Sequence, residues 1–253
     1  MRRKTALSQT VRKPHELPTS KLQISMSNAL TTAAQGLSLA EKRVMMYAVA
    51  KLDSFQADGG TPAGTVKLVA HDYAEQFNVD PDTAYMQLRE AGKGIFNRYI
   101  RFFEEGRKGP EEVMLRWVSS ARYSPGTGTV TLRFTQEVAP HLLQLKAQFT
   151  TYKLAQASAL RSIYSWRLLE LLSQSASTGW RQMSIDEFHH AMETPETARA
   201  NFKDCRKRVI EPAVKELIEK DGWLIEWQPI KEGRKVAAIR FEFRRDPQGR
   251  LDL

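Results

Sequence analysis

One order of patterns occurs twice in this chain of 253 residues, and it constrains the fold more than any single motif. A long helical stretch is followed by two shorter helical stretches split by a tight turn, then by two alternating stretches split by a turn. In the first pass, SNALTTAAQGLSLAEKRVMMYAVAKLD (27–53) predicts a helix. Ser38 and Glu41 have capping-box spacing, and Val44, Tyr47, Ala48 and Leu52 recur at helical intervals. QADGGTPAG (56–64) predicts a loop. A helix is expected near Ala70–Phe77, a turn at Asn78-Val79-Asp80, and a second helix with Asp80 as cap and Pro81 in its first position. Ala84, Leu88, Ala91 and Ile95 give that helix an apolar stripe, with Arg89 and Lys93 pointing away. VMLRWVSSARY (113–123) and VTLRF (130–134) then alternate around SPGTGT as a hairpin.

The second pass starts with AQASALRSIYSWRLLELLSQ, a predicted long helix with Leu160, Ile163, Tyr164, Leu168, Leu171 and Leu172 inward. SIDEFHHAM (184–192) carries its own capping box, Ser184 to Glu187, and a basic helix is expected from about Thr197 to Lys220. GWLIEWQPI (222–230) and VAAIRFEF (236–243) alternate around KEGRK as a second hairpin. A helix-turn-helix followed by a β-hairpin is a winged helix. The reading is therefore α+β, with two tandem winged-helix domains. The expected divisions are a disordered basic arm at 1–20, an N-terminal domain at 21–150 and a C-terminal domain at 151–253.

The net charge of +9 is unevenly spread. Residues 1–20, 199–208 and 231–250 are each net +4, so the rest of the chain is net acidic. Such clustering suits a polyanionic partner, nucleic acid above all; a solvated basic surface is the alternative. No apolar run approaches the length of about 20 residues that spans a bilayer. The basic N-terminus has no apolar region after it, which excludes a secretory signal from the reading. Cys205 is the single cysteine, so no internal disulfide is possible. A soluble protein of a reducing cytoplasm, with no membrane partner, is expected.

FKDCRKRVIEPAVKEL (202–217) holds four basic residues in six positions, Lys203 to Arg208. On a helical wheel Phe202, Cys205, Val209, Ile210, Ala213 and Leu217 share one arc, and Lys207 and Arg208 lie opposite. The front of the second helix is the part that reaches base edges in helix-turn-helix proteins. Arginine can bridge guanine and asparagine adenine, while lysines more often neutralise phosphates. Arg206 falls inside the apolar arc, so it must snorkel or the wheel must be displaced. Pro212 lacks an N–H and crowds the carbonyl of Arg208, which predicts a bend or a break. Lys231, Arg234 and Lys235 sit on the adjoining hairpin tip. Cys205, at the edge of the core, should be shielded from alkylation by bound DNA.

Three segments resemble the iteron-binding replication initiators of theta-replicating plasmids: SNALTTAAQGLSLAEKRVMMYAVAKLD, SIYSWRLLELL and FKDCRKRVIEPAVKELIEKDGWLIEWQPIKEGRKV. With their order and spacing they cover about residues 22 to 245. The resemblance implies a double-stranded DNA-binding protein whose monomers bind direct repeats in an origin. It also implies dimers that bind an inverted-repeat operator and repress their own gene. Origin opening and recruitment of the host initiator ATPase and replicative helicase come with it by analogy. Carried over by position, the C-terminal readers are Asn201, Lys203, Arg206, Lys207 and Arg208. N-terminal contacts fall around Thr83, Arg89 and Lys93. Family dimers use the first domain. Leu30, Leu37 and Val44 have heptad spacing there, but Gly36 interrupts any zipper, and the three are read as core.

No enzyme is expected. There is no His-x-His of a metal-dependent nickase, and His189 and His190 are adjacent, about 100° apart on a helix, with one expected to pack and the other to be exposed. GGTPAGTVK (59–67) lacks the Gly-Lys-Ser/Thr of a phosphate loop. The pairs Glu104–Glu105 and Glu111–Glu112 read as solvated loop charge. No catalytic residue, metal or cofactor is therefore expected. A winged-helix transcription regulator and, more remotely, a nickase or relaxase are the other readings.

Overall fold

Side-chain caps start several helices where the sequence places them. Ser38 and Glu41 cap each other reciprocally, with Ser38 N–H to Glu41 Oε2 at 2.7 Å and Glu41 N–H to Ser38 Oγ at 3.3 Å. Asp80 Oδ1 accepts from the N–H groups of Asp82 and Thr83, with Pro81 beside it where no N–H is needed. Asn78 takes the left-handed conformation that ends the preceding helix (φ 50°). Ser184 and Glu187 form the second capping box.

The computed structural model describes residues 22–56, 64–143 and 148–246. The arm at 1–20 and most of the 56–64 loop lie outside them. In order, the elements are β1 (Gln23–Ser27), α1 (Asn28–Thr32), α2 (Leu39–Gln56), β2 (Thr65–Val69), α3 (Ala70–Phe77) and α4 (Pro81–Phe96). Then come β3 (Tyr99–Gly106), β4 (Gly109–Arg116), β5 (Val118–Ser124), β6 (Thr129–Phe134), α5 (Ala139–Leu142) and β7 (Phe149–Lys153). Next are α6 (Leu154–Ser158), α7 (Ile163–Gln174), β8 (Trp180–Ser184), α8 (Ile185–Ala191) and α9 (Glu196–Arg199). The last described elements are α10 (Phe202–Cys205), a π turn (Arg206–Ile210), α11 (Glu211–Asp221), β9 (Trp223–Glu232) and β10 (Lys235–Arg245).

The repeat is visible in the sheets. β2, β6 and β5 form one antiparallel sheet in that order, and β8, β10 and β9 form another. In each, the strand before the helix-turn-helix pairs with the last strand of the hairpin. This is winged-helix topology twice over: α2-β2-α3-α4-β5-β6 and α7-β8-α8-(α10, π turn, α11)-β9-β10. The inward residues match the alternation: Val130, Leu132 and Phe134 are buried on β6, as are Ile239, Phe241 and Phe243 on β10. Leu30, Leu37 and Val44 are all buried in the core. One contiguous core runs through both repeats.

Several expectations are corrected. The helix expected over 27–53 is two helices, because Ala34 pairs as a β-bridge with Arg101 and Gly36 takes φ +66°. A side chain at Gly36 would also press on the Tyr99 carbonyl at 3.1 Å. The helix expected over 155–174 is interrupted because the Glu216 carboxylate takes the N–H groups of Arg161 (2.8 Å) and Ser162 (3.2 Å). α7 then restarts with Ser162 as its cap. The glutamate pairs do not lie in a loop. Glu104 stands opposite Glu111 in the ladder of an additional hairpin, β3–β4, inserted between α4 and β5. That insertion also ends the strand expected over 113–123 at Arg116. β1 and β7, 126 residues apart at the Ser25–Thr151 pair, form a further ladder.

The basic helix begins at Phe202, not Thr197. Asn201 is extended (φ −143°, ψ 117°) and its Oδ1 caps Lys203 N–H at 2.9 Å. The chain stays helical from there to Asp221. It takes up Pro212 with the π turn, in which Glu211 N–H reaches back five residues to the Arg206 carbonyl. The proline follows at the start of α11, where a missing N–H costs little.

Candidate nucleic-acid interface

The front of the second helix of the C-terminal helix-turn-helix, formed by α10, the π turn and α11, separates cleanly into two sides. Cys205, Val209, Ile210, Ala213, Val214 and Leu217 are buried, whereas Lys203, Arg206, Lys207 and Arg208 are exposed together with Asn201. On an even α-helical wheel Arg206 would fall inside the apolar arc set by Cys205, Val209, Ile210 and Ala213, yet it is exposed. The wider π turn at Arg206–Ile210 breaks that regular wheel and accommodates it. Arg206 Nε meets Glu211 Oε1 at 2.6 Å, a pairing five residues apart that fits a π rather than an α repeat.

Phe202 anchors the front of the helix against Trp227 of β9, with ring centroids 6.5 Å apart. The same strand runs on to the wing tip, where Lys231, Arg234 and Lys235 are exposed. The tip turns at Gly233, whose φ of +62° suits glycine. Among the described residues Lys203, Lys207, Arg208, Lys231, Arg234 and Lys235 have no carboxylate within ion-pair distance. Other cations in the same region are occupied. Arg240 pairs with Glu242 at 2.9 Å and Arg245 with Asp221 at 2.9 Å. Arg199, part of the basic cluster in the sequence, donates to the carbonyls of Thr194 (2.6 Å) and His189 (3.2 Å) at the end of α8. The helix and wing therefore present six cations free to meet phosphates or base edges.

The first module has the same scaffold and a different surface. The front of α4 carries Asp80 and Asp82. Thr83 is exposed and its N–H belongs to the Asp80 cap. Arg89 is exposed, while Lys93 pairs with Glu90 at 2.7 Å and holds that carboxyl below its ordinary value. The wing tip between β5 and β6, SPGTG, has no charge. Behind it Tyr123 packs on Gly92, where a Cβ would stand 3.5 Å from the ring. Arg122 and Arg133 on the wing strands and exposed Met86 on α4 were not singled out in the sequence reading. An arginine in an amphipathic strand and a lone methionine give no periodic signal that marks them.

Cys205 is fully buried, and burial pushes its thiol up to about 11. It lies inside the core rather than at its edge, so alkylation requires the module to open. His189 is buried and His190 half-buried against the Arg101 carbonyl (3.1 Å); burial lowers both imidazoles. His190 is thus less exposed than its expected role. Among the described residues no three His, Cys, Asp or Glu side chains gather where they could hold a metal ion. Nor is any described helix long and apolar enough to cross a membrane.

Comparison with known proteins also finds two parts, the first of them reaching past residue 151 to include most of α7. The profile described as Initiator Replication protein, WH1, matches residues 23–173, and that described as Initiator Rep protein, WH2, matches residues 184–243. The PI protein of Escherichia coli is 28% identical over 258 aligned positions, spanning 88% of this chain and 83% of that protein. A replication initiation protein of Escherichia coli is 26% identical, across 92% of this chain and 72% of that protein. The crystal structure of the Pi initiator protein in complex with iteron DNA superposes with a TM-score of 0.75 at 28% identity, covering 90% of this chain and 99% of that one. Two winged helices of identical strand order, each matched by its own profile, place this chain in the initiator replication protein family.

Proposed function

We propose that this protein is a plasmid replication initiator that binds repeated double-stranded DNA sites in an origin. The observation that carries the reading is the group of six unpaired, exposed cations on the second reading helix and wing. Lys203, Lys207 and Arg208 meet the major groove, with the Asn201 amide beside them. Lys231, Arg234 and Lys235 hold the flanking backbone. Arg206 joins them once DNA competes with Glu211 for its guanidinium. The domain at 151–253 does most of the reading. The domain at 21–150 adds contacts through Thr83, Arg89 and Lys93 on a neighbouring groove face and carries the dimer contacts.

In this reading monomers occupy direct repeats and dimers occupy an inverted-repeat operator. Binding energy distorts the origin, and the host initiator ATPase and replicative helicase are recruited to it. No bond is made or broken by the protein itself. The superposition on an initiator bound to iteron DNA supports the DNA-bound pose. Footprinting on the origin of the plasmid that encodes the protein is the test. Protection of tandem repeats beside an AT-rich stretch, with affinity falling steeply from low to moderate salt, is the expected result. Protection of the promoter operator alone would leave a transcription regulator. Open circles from supercoiled origin DNA and a divalent metal would make it a nickase.

A further inference from the structure

α7, which opens the second repeat, also packs on α1 of the first and is buried nearly all round. Two of its buried side chains, Arg167 and Glu170, are charged. The Arg167 guanidinium uses its planar fork on three partners. Nε donates to the Ala191 carbonyl at the end of α8 (2.8 Å), Nη2 to the Ala33 carbonyl between α1 and α2 (2.7 Å), and Nη1 to Glu170 Oε2 (2.6 Å). The other oxygen of Glu170 receives Lys42 Nζ of α2 at 2.6 Å and the Tyr152 hydroxyl at 2.7 Å. Trp166 Nε1 donates to the same hydroxyl at 3.0 Å, and Lys42 also meets Gln35 Oε1. One helical turn thus ties the first module, through Lys42 and Ala33, to the helix-turn-helix of the second, through Ala191. α7 also packs directly on α11, the rear of the second reading helix.

A buried charge network is weak evidence for stability, because desolvation offsets much of the attraction. Its directional bonds do what apolar packing cannot: they allow one arrangement and penalise sliding. Satellite bonds follow the same seam. Gly36 N–H meets Glu193 Oε1 at 2.7 Å, and Arg43 Nη2 meets the Leu160 carbonyl at 2.9 Å.

We propose that Lys42, Arg167 and Glu170 are positioning residues that fix the two winged helices in one relative setting, and so select the spacing between the two halves of the DNA site. This rests on the reading that both modules engage one duplex. DNA half-sites shifted by two base pairs are turned by about 70°, given roughly 10.5 base pairs per turn. A rigid pair of modules cannot follow that turn, whereas a loosened pair can.

The test begins by selecting a duplex from a pool of random sequence with the full-length wild type, then inserting or deleting two base pairs between its halves. Lys42→Met and Glu170→Gln are compared with wild type by fluorescence anisotropy, with circular dichroism melts alongside. Wild type should lose about a hundredfold in affinity on insertion, and the variants no more than about fivefold, while binding the original duplex more weakly than wild type. Arg167→Lys keeps the charge and loses the fork to the two backbone carbonyls; it carries the test if the other variants do not fold. Folded variants with the full wild-type spacing penalty would overturn the proposal and leave the cluster a matter of stability alone. A wild type that selects only one undivided half-site would instead remove the two-module reading beneath it.

Discussion

The two winged helices share a strand order and differ in almost everything they show to solvent. In the second, the front of the reading helix and the wing tip are cationic and largely unpaired. In the first, the equivalent helix starts with Asp80 and Asp82, its Lys93 is occupied by Glu90, and its wing tip is neutral. The scaffold therefore does not decide how tightly a module holds DNA. The charges set on its exposed side do. A polyanion should be gripped by the second module and only guided by the first.

Alanine substitutions are the most direct way to break this contrast. Replacing Lys203, Lys207 and Arg208 together should cost about 4 kcal/mol of binding, roughly a thousandfold, by anisotropy on an origin duplex. Replacing Arg89 and Lys93 together should cost about tenfold. Equal losses would end the distinction. The cores, by contrast, should respond alike. Leu88 and Ile210 are both fully buried on the reading helices, and Leu88→Ala or Ile210→Ala should each lose about 2–4 kcal/mol of unfolding free energy.

Alkaline pH offers a third comparison. Burial raises the Cys205 thiol from 9.0 to about 11 and the Tyr73 hydroxyl from 10.0 to about 12. Both groups keep their protons longer in the folded chain. Their stabilisation is therefore complete below the unfolded values and is lost as pH rises through the folded ones. Chemical denaturation should show a loss of about 2–3 kcal/mol between pH 9 and 11 that Cys205→Ala removes. A similar loss between pH 10 and 12 should be removed by Tyr73→Phe. The smallest effect belongs to the wings. Arg234→Ala and Lys235→Ala should each lower the salt slope of binding by about one, and Thr127→Ala in the first wing should leave it unchanged.

What could be read from the sequence was local. Capping pairs such as Ser38–Glu41 and Ser184–Glu187 need only three residues of spacing, and the alternation on β6 and β10 needs only six or so. The β3–β4 hairpin escaped because most of both its faces is exposed, so EEGRKGPEE carries no alternation. β1 escaped because its partner is more than 120 residues away and a five-residue strand has little pattern of its own. The basic patch was legible as charge, but its orientation was not, since a regular wheel has no place for a π turn. Arg167 and Glu170 were missed for a related reason. An opposite-charge pair three residues apart looks like helix surface, and only packing from both modules shows that it is interior.

The β1–β7 ladder also sets an order of events during synthesis. β1 is the first described strand to leave the ribosome, yet its partner at Phe149–Lys153 emerges only after the whole first helix-turn-helix and wing. At translation rates of about 5–20 residues per second the nascent chain waits roughly 6–25 seconds for that strand. During the wait Ile24 and Met26, both fully buried in the finished fold, have no ladder to hold them inside. The first module therefore closes late, when the helix that docks the second module is already arriving, and a chain released before residue 153 would leave that apolar strand to find another edge.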